Sequence, residues 1–150
     1  MALKARIKDE MKAALLSGDR FVGETLRNLT AAILDEEVKL GKRDEGLSDE
    51  EIEKVVAREV KKRNESAKIY RDNNRPDLAE PEEREIEILQ AYLPKQLDET
   101  ELAAIIEAKI AELGVTGPQA MGQVIGAVKK QVGNAADGAA IARIVKQKLD

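Results

Sequence analysis

Apolar side chains recur at steps of three and four along this chain, from its first residues to its last. That period puts them on one side of a helix, and the strict alternation of a half-buried strand appears nowhere. Leu3, Ile7, Met11 and Leu15 make one stripe over residues 2–16. "SGD" breaks the run, and Asp19 stands where it can cap a second helix. Val22, Leu26, Leu29, Ile33 and Leu40 share one side of that second segment. The polar "GKRDEG" is a turn. Ser48 followed three residues later by Glu51 is a capping box with Leu47 in the staple position, so a third helix starts there and runs to about Tyr70. Its inward residues are Ile52, Val55, Val56, Val60, Ala67 and Tyr70.

"RDNNRP" ends the third helix. "REIEILQAYL" reads as a fourth, stopped by Pro94, and Pro81 either opens it or kinks it. "LPKQLDE" is a linker. Asp98 with Glu101 starts a fifth helix, which carries Leu102, Ile105, Ile106, Ile110 and Leu113 and ends at Gly114. Thr116 with Gln119 begins a sixth, Gly133 ends it, and Asp137 caps a seventh. The expectation is an all-α chain in two pieces. One is an N-terminal helical domain of about four helices over residues 1–94; the other is a small three-helix domain over residues 95–150.

Composition restricts the chemistry. The chain has no His and no Cys, so the Ser–His and Cys–His nucleophile designs and a cysteine zinc site are closed to it. Ser17, Ser48 and Ser66 are the only serines, each at a cap or on a solvated face. The 29 Asp and Glu residues leave carboxylate chemistry or a Mg²⁺ site open, but they are spread over helix surfaces. No catalytic residue, cofactor or bound metal is expected. There is no apolar run long enough to cross a bilayer, and "MALKARIKDEMK" lacks a signal-peptide core, so the expected location is cytoplasmic and away from membranes.

Three further stretches take plain readings. Lys54, Arg58, Lys61, Glu65, Lys68 and Asp72 form a mixed-sign, solvated stripe. "EPEEREIE" reads as an acidic first helical turn. Tyr92 reads as a lid on the seam between the two pieces.

The net charge of −4 lies in residues 1–94, and residues 95–150 balance. From Pro118 onward the basic residues are Lys129, Lys130, Arg143, Lys146 and Lys148, against Asp137 and Asp150. Such asymmetry marks the side that meets an anionic partner. On the sixth helix, Met121, Val124, Ile125, Val128 and Val132 form the inner stripe. Gly122 and Gly126 fall together on a flank that Lys129 continues. Each glycine inside a helix costs about 1 kcal/mol relative to alanine. Either a neighbouring helix packs closely there, or the flank is a bare groove for a sugar–phosphate backbone with Lys129 and Lys130 beside it. On the seventh helix, Arg143 and Lys146 point outward. The "GNAADG" loop, with Gly133 and Asn134, offers backbone N–H groups at a helix start, which suits an anion.

The segments "LRNLTAAILDEE", "VKKRNESAKIYRDNNRPDLA", "EIEILQAYLPKQL", "MGQVIGAVKK" and "ADGAAIARIVKQKL" resemble, in order and over nearly the whole chain, the YqeY family, also called GatB/YqeY-domain proteins. The resemblance implies an all-helical protein whose small C-terminal domain is similar to the tail of the GatB subunit of glutamine-dependent tRNA amidotransferase. In that enzyme the tail touches the tRNA body, and the active sites lie elsewhere. Family members carry the label of carbon–nitrogen ligase with glutamine as amido-N-donor, which follows the shared tail. The implied function is an accessory, tRNA-binding module with no catalysis of its own. Its implied partners are tRNA or tRNA-handling proteins. The implied RNA-binding residues are Gly122, Gly126, Lys129, Lys130, Gly133, Asn134, Arg143 and Lys146. The alternative is a protein–protein adaptor that receives a partner helix on the Gly122/Gly126 flank. The family's joint usually reads lysine–glycine–basic–alanine–aspartate. Here it reads Val132-Gly133-Asn134-Ala135-Ala136-Asp137, with fewer charges and one more residue.

Overall fold

The computed structural model describes residues 2–150; the regular structure among them is helical, with no strand. The helices are α1 (Ala2–Ser17), α2 (Arg20–Lys39), α3 (Asp49–Asp72), α4 (Pro76–Gln90), α5 (Glu99–Leu113), α6 (Met121–Val132) and α7 (Gly138–Leu149). Short 3₁₀ turns at Pro118–Ala120 and Gly133–Ala135 precede and follow α6. The chain forms two compact units, Met1–Leu93 and Pro94–Asp150.

The first unit packs α1 to α4 around an aliphatic core that includes Ile7, Leu26, Leu29, Ile33, Leu47, Ile52, Val56 and Leu89. Two expected core residues are displaced. A step of four advances about 40° round a helix of 3.6 residues per turn. By Leu15 the stripe has rotated away from the core, so Leu15 is 42% exposed and Ala14 takes the inner place. Leu15 lies over Gly23 instead, where an added Cβ would come within 2.5 Å of Leu15 Cδ2. That glycine is what lets α1 and α2 approach. Leu40 becomes the C-cap of α2 and is 47% exposed.

The inner position one turn earlier belongs to Glu37, which is only 2% exposed. A buried carboxylate needs partners. It accepts from Lys4 Nζ on α1 at 2.6 Å and from the Leu47 N–H at 3.3 Å. One side chain thus ties α1, α2 and the loop before α3. The Ser48 capping box is present, and Lys42 closes on Glu51 at 2.8 Å.

α4 begins at Pro76, five residues before Pro81, which lies inside the helix. Pro76 therefore opens this helix rather than only closing α3. Asn74, at φ 58, makes the sharp change of direction. The first turn of α4 holds one acid, Asp77, so the glutamates of "EPEEREIE" do not serve the helix dipole. Two of them pair instead with α3: Arg63 Nε meets Glu85 at 2.6 Å and Arg71 meets Glu83. Tyr92 belongs to the core cluster of the first unit. It is 5% exposed, its hydroxyl donates to Glu10 Oε2, and the Arg6 guanidinium lies 4.8 Å from its ring centroid.

Candidate nucleic-acid interface

The second unit buries Leu102 and Ile106 of α5, Val124 and Val128 of α6, and Ile141, Ile144, Val145 and Leu149 of α7 in one cluster. Asp98 caps α5 by accepting from the Glu101 N–H at 2.7 Å. Asp137 caps α7 by accepting from the Ala139 N–H at 3.4 Å. α6 has no side-chain cap; the turn at Pro118–Ala120 leads into it. Thr116 does not act as the cap, and its carbonyl accepts from Gln119 Nε2 at 3.1 Å.

With Val124 and Val128 turned to the core, the geometry of α6 fixes the rest. At 100° per residue, Gly122, Gly126, Lys129 and Gly133 fall within about 60° of one another, away from that core. A Cβ built on Gly122 or on Gly126 meets nothing within 4 Å. No neighbouring helix of the unit occupies the space, so internal close packing does not account for these glycines. The flank is bare. Gly133 closes the helix at φ 55 and ψ −129, a backbone region that suits glycine.

Lys129 and Lys130 stand in the last turn of α6, the end where a cation complements the helix dipole. Both are exposed and neither has an ion-pair partner among the described residues. The Lys129 chain reaches over the start of α7; its Nζ lies 3.5 Å from where a Cβ on Gly138 would be. Asn134 turns its carbonyl toward Gln96, whose Nε2 lies 2.9 Å away.

Arg143 and Lys146 do not join this group. Arg143 is exposed on α7, and its guanidinium bonds the Glu99 carboxylate at the start of α5. Its charge is already matched. Lys148 is matched in the same way, with Glu107 at 2.5 Å. Lys146 sits in the last turn of α7, eight residues beyond Gly138 and so about 12 Å farther along the helix. Sequence reasoning had no means to see the α5 carboxylates, because no spacing along the chain reports a contact 44 residues apart. It also missed Gln96, which the structure puts directly against the joint.

Among the described residues, no group of His, Cys, Asp and Glu could hold a metal ion, and no helix is long and apolar enough to cross a membrane. On α3, Arg58 pairs with Glu36 at 3.0 Å and Lys68 with Asp72 at 3.2 Å, as a solvated mixed-sign face should.

A family profile described as "Yqey-like protein" matches residues 4–149. "Altered inheritance of mitochondria protein 41, mitochondrial" from Eremothecium gossypii is 34% identical over 115 residues, covering 75% of this chain and 61% of that protein. The protein of the same name from Lachancea thermotolerans is 30% identical over 116 residues, covering 76% of this chain and 61% of its own length. That from Clavispora lusitaniae is 33% identical over 101 residues, 65% of this chain and 57% of the relative. The matched stretch thus spans less than two thirds of these relatives. All three are named as mitochondrial proteins. This overturns the expectation of a cytoplasmic location. That expectation rested on a missing signal-peptide core and a missing bilayer span, and neither feature separates cytoplasm from mitochondrion.

Proposed function

The chain belongs to the Yqey-like protein family, and on that premise we propose that it is an accessory module that binds tRNA through its C-terminal unit, with no catalysis of its own. The observation that carries this reading is the bare Gly122/Gly126 flank ending at two unpaired lysines. The glycines weaken α6, and no contact inside the unit offsets the loss. The demand for them therefore comes from outside the chain. A sugar–phosphate backbone laid along the flank would come close to the helix backbone and end beside Lys129 and Lys130. Those lysines would release counterions from the phosphates they meet, the main source of affinity in such contacts. Gly133 and Asn134 border the same end. Arg143 and Lys146 contribute less, one because of Glu99 and the other because of its distance.

The second reading is an adaptor that takes a partner helix on the same flank. It explains the glycines as well but gives no role to the lysines at the end. The ligase label belongs to the shared tail, and this chain supplies no nucleophile–base pair to support it.

The test uses purified protein with glutamine, ATP, Mg²⁺ and misacylated tRNA. The expected result is tRNA binding that weakens as salt rises, with no ammonia released and no amide formed. Turnover by the chain alone would sink the accessory reading. Affinity for a helical partner that survives high salt, with none for tRNA, would favour the adaptor.

A further inference from the structure

The joint between α6 and α7 is held from one side by the residues that open the second unit. Gln96 Nε2 donates to the Pro94 carbonyl at 2.8 Å and to the Asn134 carbonyl at 2.9 Å. One residue on, the Leu97 N–H donates to the Ala135 carbonyl at 2.8 Å. A side-chain amide nitrogen carries two hydrogens. Gln96 spends one on the linker and one on the joint, so its exposed side chain bridges two peptide groups. Leu97 and Ala136 pack against the same apolar cluster and keep the two segments together.

This arrangement matters for an anion. A carbonyl oxygen facing a phosphate repels it. Here the carbonyls of two successive residues, Asn134 and Ala135, are turned to the linker and capped by its donors. A trans peptide sends its N–H to the side opposite its C=O. The N–H edges of those two peptide planes, at Ala135 and Ala136, therefore face away from the linker. Gly133, with its positive φ, makes the turn that allows this.

We propose that Gln96 is the positioning residue of the joint. It fixes the peptide orientation from Gly133 to Ala136 and makes that orientation depend on the conformation of the linker at Pro94. The proposal rests on the tRNA reading for its purpose, since an oriented joint serves a phosphate, and Gln96 itself meets no phosphate.

The experiment compares the full chain with Gln96→Ala and Gln96→Glu. The first removes both donors; the second sets a carboxylate against two carbonyl oxygens. Backbone amide exchange should quicken about tenfold at Leu97, Ala135 and Ala136 in Gln96→Ala, and more in Gln96→Glu. Unchanged exchange in both variants overturns the positioning role. tRNA affinity at fixed salt should fall several-fold in Gln96→Ala while its salt dependence stays that of the wild type, because every lysine remains. Lys129→Gln, by contrast, should flatten the salt dependence. Wild-type affinity in a variant whose joint exchanges faster overturns the link between bridge and binding. If the wild type binds no tRNA, the proposed function fails, and the exchange measurement still decides whether Gln96 orients the joint.

Discussion

Gly126→Ala should make this protein more stable and a poorer binder. Gly126 lies in the interior of α6 with ordinary helical φ, so alanine fits without backbone strain. Its methyl group would meet nothing within 4 Å, so no clash offsets the gain. Replacing a helix-interior glycine by alanine is worth about 1 kcal/mol, partly from the unfolded chain it restricts. Gly122 is in the first turn, where propensity counts for less, so Gly122→Ala should add only a fraction of that. In a unit of this size about 1 kcal/mol raises the melting temperature by roughly 4–8 °C. Thermal melts of the intact chain, followed by circular dichroism, read this directly. Gly126→Leu extends the perturbation: it should leave the fold intact and block the flank, lowering affinity for any ligand that lies there. A lower melting temperature in Gly126→Ala would show the opposite, a flank packed from within. Loss of the second unit's cooperative melt in Gly126→Leu would show the same.

Other expectations come from the first unit. Glu37→Ala leaves the Leu47 N–H buried without an acceptor and Lys4 without its partner, and should cost about 2–3 kcal/mol in urea unfolding. Glu37→Gln keeps an acceptor and should cost less. The Lys42 ammonium, helped by the Ser48 N–H, holds the Glu51 carboxylate down at about 2. Because that lies below the ordinary value of 4.5, its contribution is present above about pH 4.5 and is lost as pH falls toward about 2. Urea midpoints of Glu51→Gln should therefore vary less with pH across that window than those of the wild type. The Tyr92 hydroxyl lowers the Glu10 carboxyl most, against a smaller opposing effect of burial. Tyr92→Phe should raise the Glu10 titration seen by NMR while costing about 1 kcal/mol or less, since Glu10 is exposed to water.

The helices and their caps were legible because they are local. Ser48 with Glu51, Asp98, Gly114 and Asp137 each act within one turn, and each lies where its residue type implies. What failed needed the third dimension. The step-of-four stripe of α1 could not report its own rotation, so Leu15 read as core. Pro81 drew attention from Pro76, although proline fits the first turn of a helix better than its interior. Glu37 read as surface, because nothing in the sequence shows that Lys4 and the Leu47 N–H converge on it. In the C-terminal unit the bare glycine flank and its lysines could be seen on a helical wheel. Whether the flank was filled by a neighbour could not, and neither could the pairing of Arg143 with Glu99 or the bridge made by Gln96.

If the flank of α6 meets tRNA through the charges of Lys129 and Lys130, salt will show it. The decisive quantity is the dependence of tRNA affinity on salt, measured side by side for the intact chain and for Lys129→Gln/Lys130→Gln. Log affinity should fall linearly with log salt, and the slope in the double variant should be shallower by roughly 0.9 for each duplex phosphate that its side chains no longer reach. Equal slopes in the two proteins, or no tRNA binding by the intact chain even at low salt, would remove tRNA from this surface.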